Sequence, residues 1–178
     1  MSDFSRPRDF RGAFEGVASV QSIEERLQRL EDIEAIRRLK VRYAELCDDG
    51  YNADKLAELF TEDCVFDSGE LGAFHGREAI RQAFKNVSSE MTFAIHYMSA
   101  HQIDIAPGGQ EATGTWNLWQ PTTLNGKAVL LAGAYHDRYK KVDGKWMFAY
   151  QSLEAKMFTP LEVGWGPERF GSLTRLGQ

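Results

Sequence analysis

The sequence predicts an α+β fold: three helices packed on a strongly curved, mainly antiparallel sheet around an apolar cavity. Three observations predict it. Apolar residues recur at spacings of three and four from Ile23 to Leu46, the period of a long amphipathic helix. Four apolar runs of strand length then fill the second half, at 91–105, 111–123, 128–141 and 145–158. Asn125-Gly126 and Asp143-Gly144 separate the last three, and each dipeptide is a two-residue hairpin turn that takes positive φ.

The elements follow in order. Residues 1–21 mix Phe4, Phe10 and Phe14 with Arg and Gly without a period, and read as an N-terminal arm. Ser22 with Glu25 makes a capping box. Ile23, Leu27, Leu30, Ile33, Ile36, Leu39, Tyr43 and Leu46 then form the apolar stripe of a helix ending near Cys47. Asp48-Asp49-Gly50 is its stop, and Asn52 caps a second short helix through Phe60. Residues 61–67 read as a short strand and 68–76 as a turn or a second one. A third helix covers about Arg77 to Val87. The four β runs complete a meander, its first break marked by Pro107-Gly108-Gly109. The domain is placed at 22–162, with a C-terminal extension at 163–178.

Composition bounds the function. The chain has 178 residues, enough for one domain with a full core. A net charge of −5 argues against a nucleic-acid surface. No run of 18 apolar residues predicts a membrane span. The polar N-terminus lacks a signal-peptide core, so a cytoplasmic location is expected. Cys47 and Cys64 lack CxxC spacing and read as buried thiols. The four histidines show no metal-ligand spacing, and no dinucleotide or phosphate loop is present. No cofactor and no metal are expected.

Asp48 and His96 are the candidate chemistry. Asp48 sits at a helix end, which does not favour an acid, and on spacing alone it reads as a solvated helix-end carboxylate. Tyr43 lies five residues before it, about 140° around an ideal helix, so the two share a face only where the helix ends. His96 opens the first long strand, on the face of Met98 and Ala100. His101 falls on the opposite face, with Ile103 and Ile105, unless a bulge brings both histidines inward. Phe66, Trp116, Leu118 and Leu131 are candidates to line a pocket or fill a core. Trp119 falls on the other face from Trp116. Tyr135, Tyr139, Trp146 and Phe148 are expected on the outer face of the sheet, and His136 on a half-polar outer face.

The words Glu31-Asp32-Ile33-Glu34-Ala35-Ile36 leading to Tyr43 and Asp48, then Phe60-Thr61-Glu62-Asp63-Cys64-Val65-Phe66, resemble the SnoaL-like branch of the NTF2-like (cystatin-like cone) superfamily. The likeness is to the scytalone dehydratase and bile-acid dehydratase group and to hexachlorocyclohexane dehydrochlorinase. For the last it covers about 25–165. It is most specific in Ile95-His96-Tyr97, Asp143-Gly144-Lys145-Trp146 and Phe158-Thr159-Pro160-Leu161.

The resemblance implies a cofactor-independent lyase that eliminates water from a small hydrophobic cyclic or aromatic substrate. His96 is then the base, Asp48 its partner, and Tyr43 the group on the departing oxygen. Phe66, Trp116, Leu118, Leu131 and His101 would contact substrate. The dehydrochlorinase has Lys at the position of Tyr43 and Arg at that of Gln151, so both cations suited to a departing chloride are absent here. That difference favours dehydration. Isomerisation or polyketide cyclisation on the same cone is one rival. A non-catalytic ligand-binding module, or the small β-subunit of a ring-hydroxylating dioxygenase, is another. The resemblance also implies a homo-oligomer, with a trimer as its form.

Overall fold

The structure is a computed structural model that describes residues 21–69 and 72–171. The expected N-terminal arm therefore lies outside the described residues, apart from Gln21. Helix α1 runs Ile23–Asp48, α2 Ala53–Ala57 and α3 Arg77–Glu90. The strands are β1 Phe60–Asp67, β2 Ala73–His75, β3 Met91–Ala94, β4 Tyr97–Ile105, β5 Glu111–Leu124, β6 Lys127–Val142 and β7 Lys145–Pro160. They form one seven-stranded sheet in the order β2-β1-β7-β6-β5-β3, with β4 also on β5. All pairings are antiparallel except β1 on β7. The α+β cone is therefore the fold.

The capping box forms: Glu25 N–H donates to Ser22 Oγ at 3.1 Å, and Ser22 N–H donates to the Glu25 carboxylate at 2.8 Å. Asn125 and Asp143 take φ of 49° and 50°, and Gly126 and Gly144 follow at 76° and 77°. These paired positive angles match the strand twist and set the β5–β6 and β6–β7 registers. Along β5, the even residues Ala112 to Thr122 are buried against the helices and the odd ones face out.

Three expectations need correction. The front of α1 is not a core stripe, since Ile23, Leu27 and Leu30 are 77, 54 and 64% exposed. The buried face starts at Asp32 and runs through Ile36, Lys40, Tyr43 and Cys47. Tyr135, Tyr139, Trp146 and Phe148 are buried on the concave side, not on the outer face. The alternation of Tyr135-His136-Asp137-Arg138-Tyr139 is ambiguous because the inner face itself carries a charge, Asp137. The run 91–105 is two strands, broken at Ile95 and His96. His96 N–H donates to the Asp48 carboxylate instead of a neighbouring strand, which accounts for the break. For His101 the open alternative, a bulge between it and His96, is the one that forms. A register shift between Ser99 and Gln102, with Ala100 at φ 45°, turns it over Trp116.

Asp32 fastens α1 to the β6–β7 hairpin. It accepts from Trp146 Nε1 at 2.9 Å and lies 2.7 Å from Lys141 Nζ. Beyond Pro160 the chain folds back on β7: Phe158 N–H donates to Arg169 O at 2.9 Å and Gly171 N–H to Phe158 O at 2.7 Å. This occupies the edge of β7 past the last residue that pairs with β1, Ser152.

Candidate active site

The last turn of α1 points Asp48 at the gap between β3 and β4. There Asp48 Oδ1 lies 2.6 Å from His96 Nδ1 and accepts the His96 backbone N–H at 3.0 Å, with Oδ2 at 3.2 Å. The carboxylate thus grips one residue through both main chain and ring. The His96 side chain is 3% exposed and that of Asp48 29%, so the pair is dry on one side and wet on the other. With Nδ1–H held by a carboxylate, Nε2 is the ring atom left to accept a proton.

Two tyrosines stand edge-on to the His96 ring. Tyr43 has its centroid 6.4 Å away and Tyr51 6.1 Å away. Tyr43 comes from the buried stripe of α1, which brings it and Asp48 to one histidine although they are not on one helical face. Burial pushes its pKa well up, and its hydroxyl is hydrogen-bonded to Tyr135. Tyr51 follows Gly50 in the turn after α1, at φ 57°. Its hydroxyl donates to Met91 Sδ at 2.9 Å, a weak acceptor, and burial raises its pKa too.

Behind Tyr43 lies a second polar group. Lys40 Nζ is fully buried, 2.9 Å from Asp137 Oδ2 and 3.6 Å from the centroid of the Tyr135 ring. Burial lowers the Lys40 pKa, and Asp137 counteracts that. Tyr139 OH donates to the same Asp137 oxygen at 2.7 Å, and Trp116 Nε1 donates to Tyr139 at 2.9 Å.

The remaining expected residues distribute around this centre. Phe66 is half-buried and stacks on Phe84 and Phe74, with centroids 5.8 and 6.3 Å away. Trp116, Leu118 and Leu131 are buried in the core. His101 stacks on Trp116 at 4.8 Å and accepts from Arg37 Nε at 2.8 Å, but its residue is exposed and no contact among the described residues joins it to the dyad. Trp119 faces out, against Trp165.

Sequence reasoning passed over Lys40, Tyr51 and Asp137. Lys40 did leave a trace, a cation inside the stripe Ile36-Lys40-Tyr43-Cys47. Tyr51 left none, because a turn residue has no period. Among the described residues, no group of three His, Cys, Asp or Glu is placed to hold a metal ion. Nor, among those residues, is any helix long and apolar enough to cross a membrane.

The SnoaL-like domain family matches residues 28–151, well over half of the chain. The chain belongs to this family. Solved structures similar to this SnoaL-like protein include a candidate scytalone dehydratase from Novosphingobium aromaticivorans. It is 26% identical, with a TM-score of 0.70 over 75% of this chain and 90% of that one. A hexachlorocyclohexane dehydrochlorinase of type 2 is 23% identical, with a TM-score of 0.71 over 76% and 93%. An NTF2-like protein with a cystatin-like fold, also from N. aromaticivorans, is 21% identical, with a TM-score of 0.62 over 92% and 99%. The SnoaL-like fold here is thus the NTF2-like cone.

Proposed function

We propose that this chain is a cofactor-independent lyase that eliminates water from a small hydrophobic cyclic or aromatic substrate. The observation that carries the proposal is the 2.6 Å contact between His96 Nδ1 and Asp48 Oδ1 on the wall of an aromatic interior. The 26% identity to a candidate scytalone dehydratase supports the same reaction class.

His96 Nε2 takes a proton from a carbon next to a carbonyl. The C–H electron pair becomes the new C=C bond, and the C–O pair leaves with the hydroxyl. Asp48 fixes the tautomer and stabilises the imidazolium that forms. Hydroxide is a poor leaving group and needs a proton or a strong hydrogen bond. Tyr43 is assigned that task. Its raised pKa keeps it a neutral donor, and it must turn from Tyr135 to reach the departing oxygen. The proton on His96 then completes the water. Phe66, Trp116, Leu118 and Leu131 form the apolar surround, and such a surround strengthens the charge interactions inside it. His101 closes over Trp116 as a further substrate contact.

The test is turnover of a panel of cyclic β-hydroxy ketones, followed by enone absorbance and loss of water in the product mass. Wild type should turn over at least one, and His96→Ala and Asp48→Asn should not approach its rate. Absence of turnover and of binding across the panel would sink the dehydratase reading. A product of unchanged mass would move the reaction to isomerisation.

The convex face carries Phe93, Tyr97 and Trp119, at 49, 56 and 42% exposure, with Trp165 beside Trp119 at 56%. This apolar surface supports a homo-oligomer, proposed as a trimer. Light scattering after size exclusion should give about three times 20.2 kDa, and a 20.2 kDa species would end that proposal.

A further inference from the structure

Lys40 is a cation sealed in the core behind Tyr43. Its side chain and that of its partner Asp137 are both 0% exposed. Asp137 Oδ2 holds the ammonium at 2.9 Å and accepts from Tyr139 OH at 2.7 Å as well. Apolar side chains of similar volume often replace a buried ion pair without loss of stability, so stability alone does not explain this one. Its place among the surrounding rings does more. The ammonium lies 3.6 Å from the Tyr135 ring centroid, against 5.1 Å for Tyr43 and 5.4 Å for Phe148. It therefore caps the face of the ring whose hydroxyl is bonded to Tyr43. A cation on a ring face draws on the π electrons, and the phenol O–H below becomes a better donor. Two neutral hydroxyls that share one bond leave open which of them donates. With Lys40 over Tyr135, the donor is Tyr135. Burial raises the pKa of both tyrosines, and their shared bond opposes that rise at Tyr135 while adding to it at Tyr43.

We propose that Lys40 is a positioning residue: acting through Tyr135, it sets the sense of the Tyr43–Tyr135 hydrogen bond, so that Tyr43 accepts there and keeps its own proton for the departing oxygen. The inference rests on the elimination reading, in which Tyr43 serves the leaving group. When the Tyr43 O–H turns to that oxygen, the Tyr135 hydroxyl donates into the Tyr43 oxygen behind it. As the C–O bond breaks, negative charge grows on the departing oxygen and is shared back along the two hydrogen bonds toward the ammonium. No proton leaves Tyr135 or Lys40, and the ion pair is the same at the end of turnover as at the start. Asp137 keeps Lys40 charged in a dry interior, and Tyr139 on the same oxygen keeps Asp137 in place.

Lys40→Met with Asp137→Leu removes both charges and leaves neither one unpaired. The full chain carries this double change with Tyr135 present and again with Tyr135→Phe, beside wild type and Tyr135→Phe alone. Each protein is isotope-labelled at the tyrosine Cζ atoms and followed by NMR, with the Tyr43 signal assigned by its loss in Tyr43→Phe. Removing the ion pair should shift the Tyr43 signal while Tyr135 is present and leave it in place once the Tyr135 hydroxyl is gone. On the best hydroxy ketone, the double change should lower kcat about five- to tenfold with KM near its parent value, part of the worth of a desolvated cation–π contact. In the Tyr135→Phe background it should lower kcat no further. A Tyr43 signal indifferent to the pair, or an equal shift or equal kcat loss in both backgrounds, would overturn the relay, because packing acts whether or not the hydroxyl is there. If the double variant does not fold, Lys40→Gln with Asp137→Asn keeps a hydrogen bond, removes the same charges and is held to the same outcomes. The NMR signal needs no turnover, so the two proposals fail separately. His96-dependent turnover with an indifferent Tyr43 signal sinks the relay alone. A Tyr43 signal that answers to Lys40 through Tyr135, without turnover across the panel, sinks the elimination reading and leaves Lys40 setting the bond.

Discussion

Replacing Asp48 by Asn tests the dyad with the least disturbance. Asn keeps an oxygen that can accept from His96 and loses only the charge. In the proposed elimination a proton arrives on His96 and leaves the ring cationic beside Asp48, with 2.6 Å between the bonded atoms. Two unit charges about 4 Å apart at an effective dielectric constant near 20 attract by about 4 kcal/mol. The Asp48 side chain is 29% exposed, and water weakens that attraction. A loss of about 2–3 kcal/mol in the transition state is roughly 30- to 160-fold in kcat. The folded state should not suffer in parallel, because an acid at a helix C-terminus is unfavourable by about 0.3–1 kcal/mol. The assay is kcat and KM on the best substrate of the hydroxy-ketone panel, beside a thermal melt. The expected result is a fall in kcat with KM near its parent value and a melting temperature within about 4 °C of the parent. A kcat within about threefold of wild type would refute the charge argument. So would an activity loss that simply follows a collapse of the melt.

Further outcomes follow from the same contacts. Tyr43→Phe should lower kcat by about tenfold or more by removing the donor to the leaving oxygen. Tyr51→Phe, which gives up a weak bond to Met91 sulfur, should cost less, and the reverse order in steady-state kinetics would move the acid to Tyr51. Lys40→Met should destabilise by about 3–5 kcal/mol in urea unfolding, because Asp137 is left buried and unpaired, while Lys40→Met with Asp137→Leu should recover most of the loss. Burial raises the proton affinity of Cys47, Tyr43, Tyr51, Tyr135 and Tyr139 in the folded chain. The unfolded chain then releases these protons first, so stability is whole below pH 9 and falls above it, by up to about 1.4 kcal/mol per pH unit per group. A urea midpoint that stays flat from pH 8 to 10.5 would contradict this. Gly133→Ala should lower the melting temperature sharply, since its Cβ would press on Glu154 O and lie 3.2 Å from Ala155 Cα at the β6–β7 register shift.

Local rules made the helices and hairpins legible. Ser22 and Glu25 satisfy orphan donors within four residues, and Asn125-Gly126 sets its own backbone angles, so neither needs the rest of the chain. Asp48 and His96 were readable one at a time and only became a pair through a family likeness, because the distance between them is set by where α1 stops against β3 and β4. The errors have the same origin. Which side of β6 faces in depends on where Asp137 finds Lys40, a partner 97 residues away. The exposed Ile23, Leu27 and Leu30 show that a perfect helical period continues past the point where α1 meets the sheet. Periodicity reports what a helix could bury, and the sheet decides how much of it is buried.

The placement of Asp48 is itself an argument about chemistry. The C-terminal end of a helix carries roughly half a negative charge, and a carboxylate there adds to it. Such a site is poor for the resting protein and good for an imidazolium. In the ground state the His96 ring and its backbone N–H blunt the excess charge by hydrogen bonding. When a proton reaches Nε2, both the carboxylate and the helix end gain from it, and the gain exists only in the charged state. On the proposed mechanism, that is stabilisation reserved for the transition state rather than spent on the substrate complex. It also fixes the direction of a control. Asp48→Asn combined with Asp49→Asn should lower kcat no further than Asp48→Asn alone, because Asp49 is the exposed capping residue and has no contact with the ring among the described residues. A large additional loss in the double variant would mean that general acidity of the helix end, not the Asp48–His96 contact, drives the reaction.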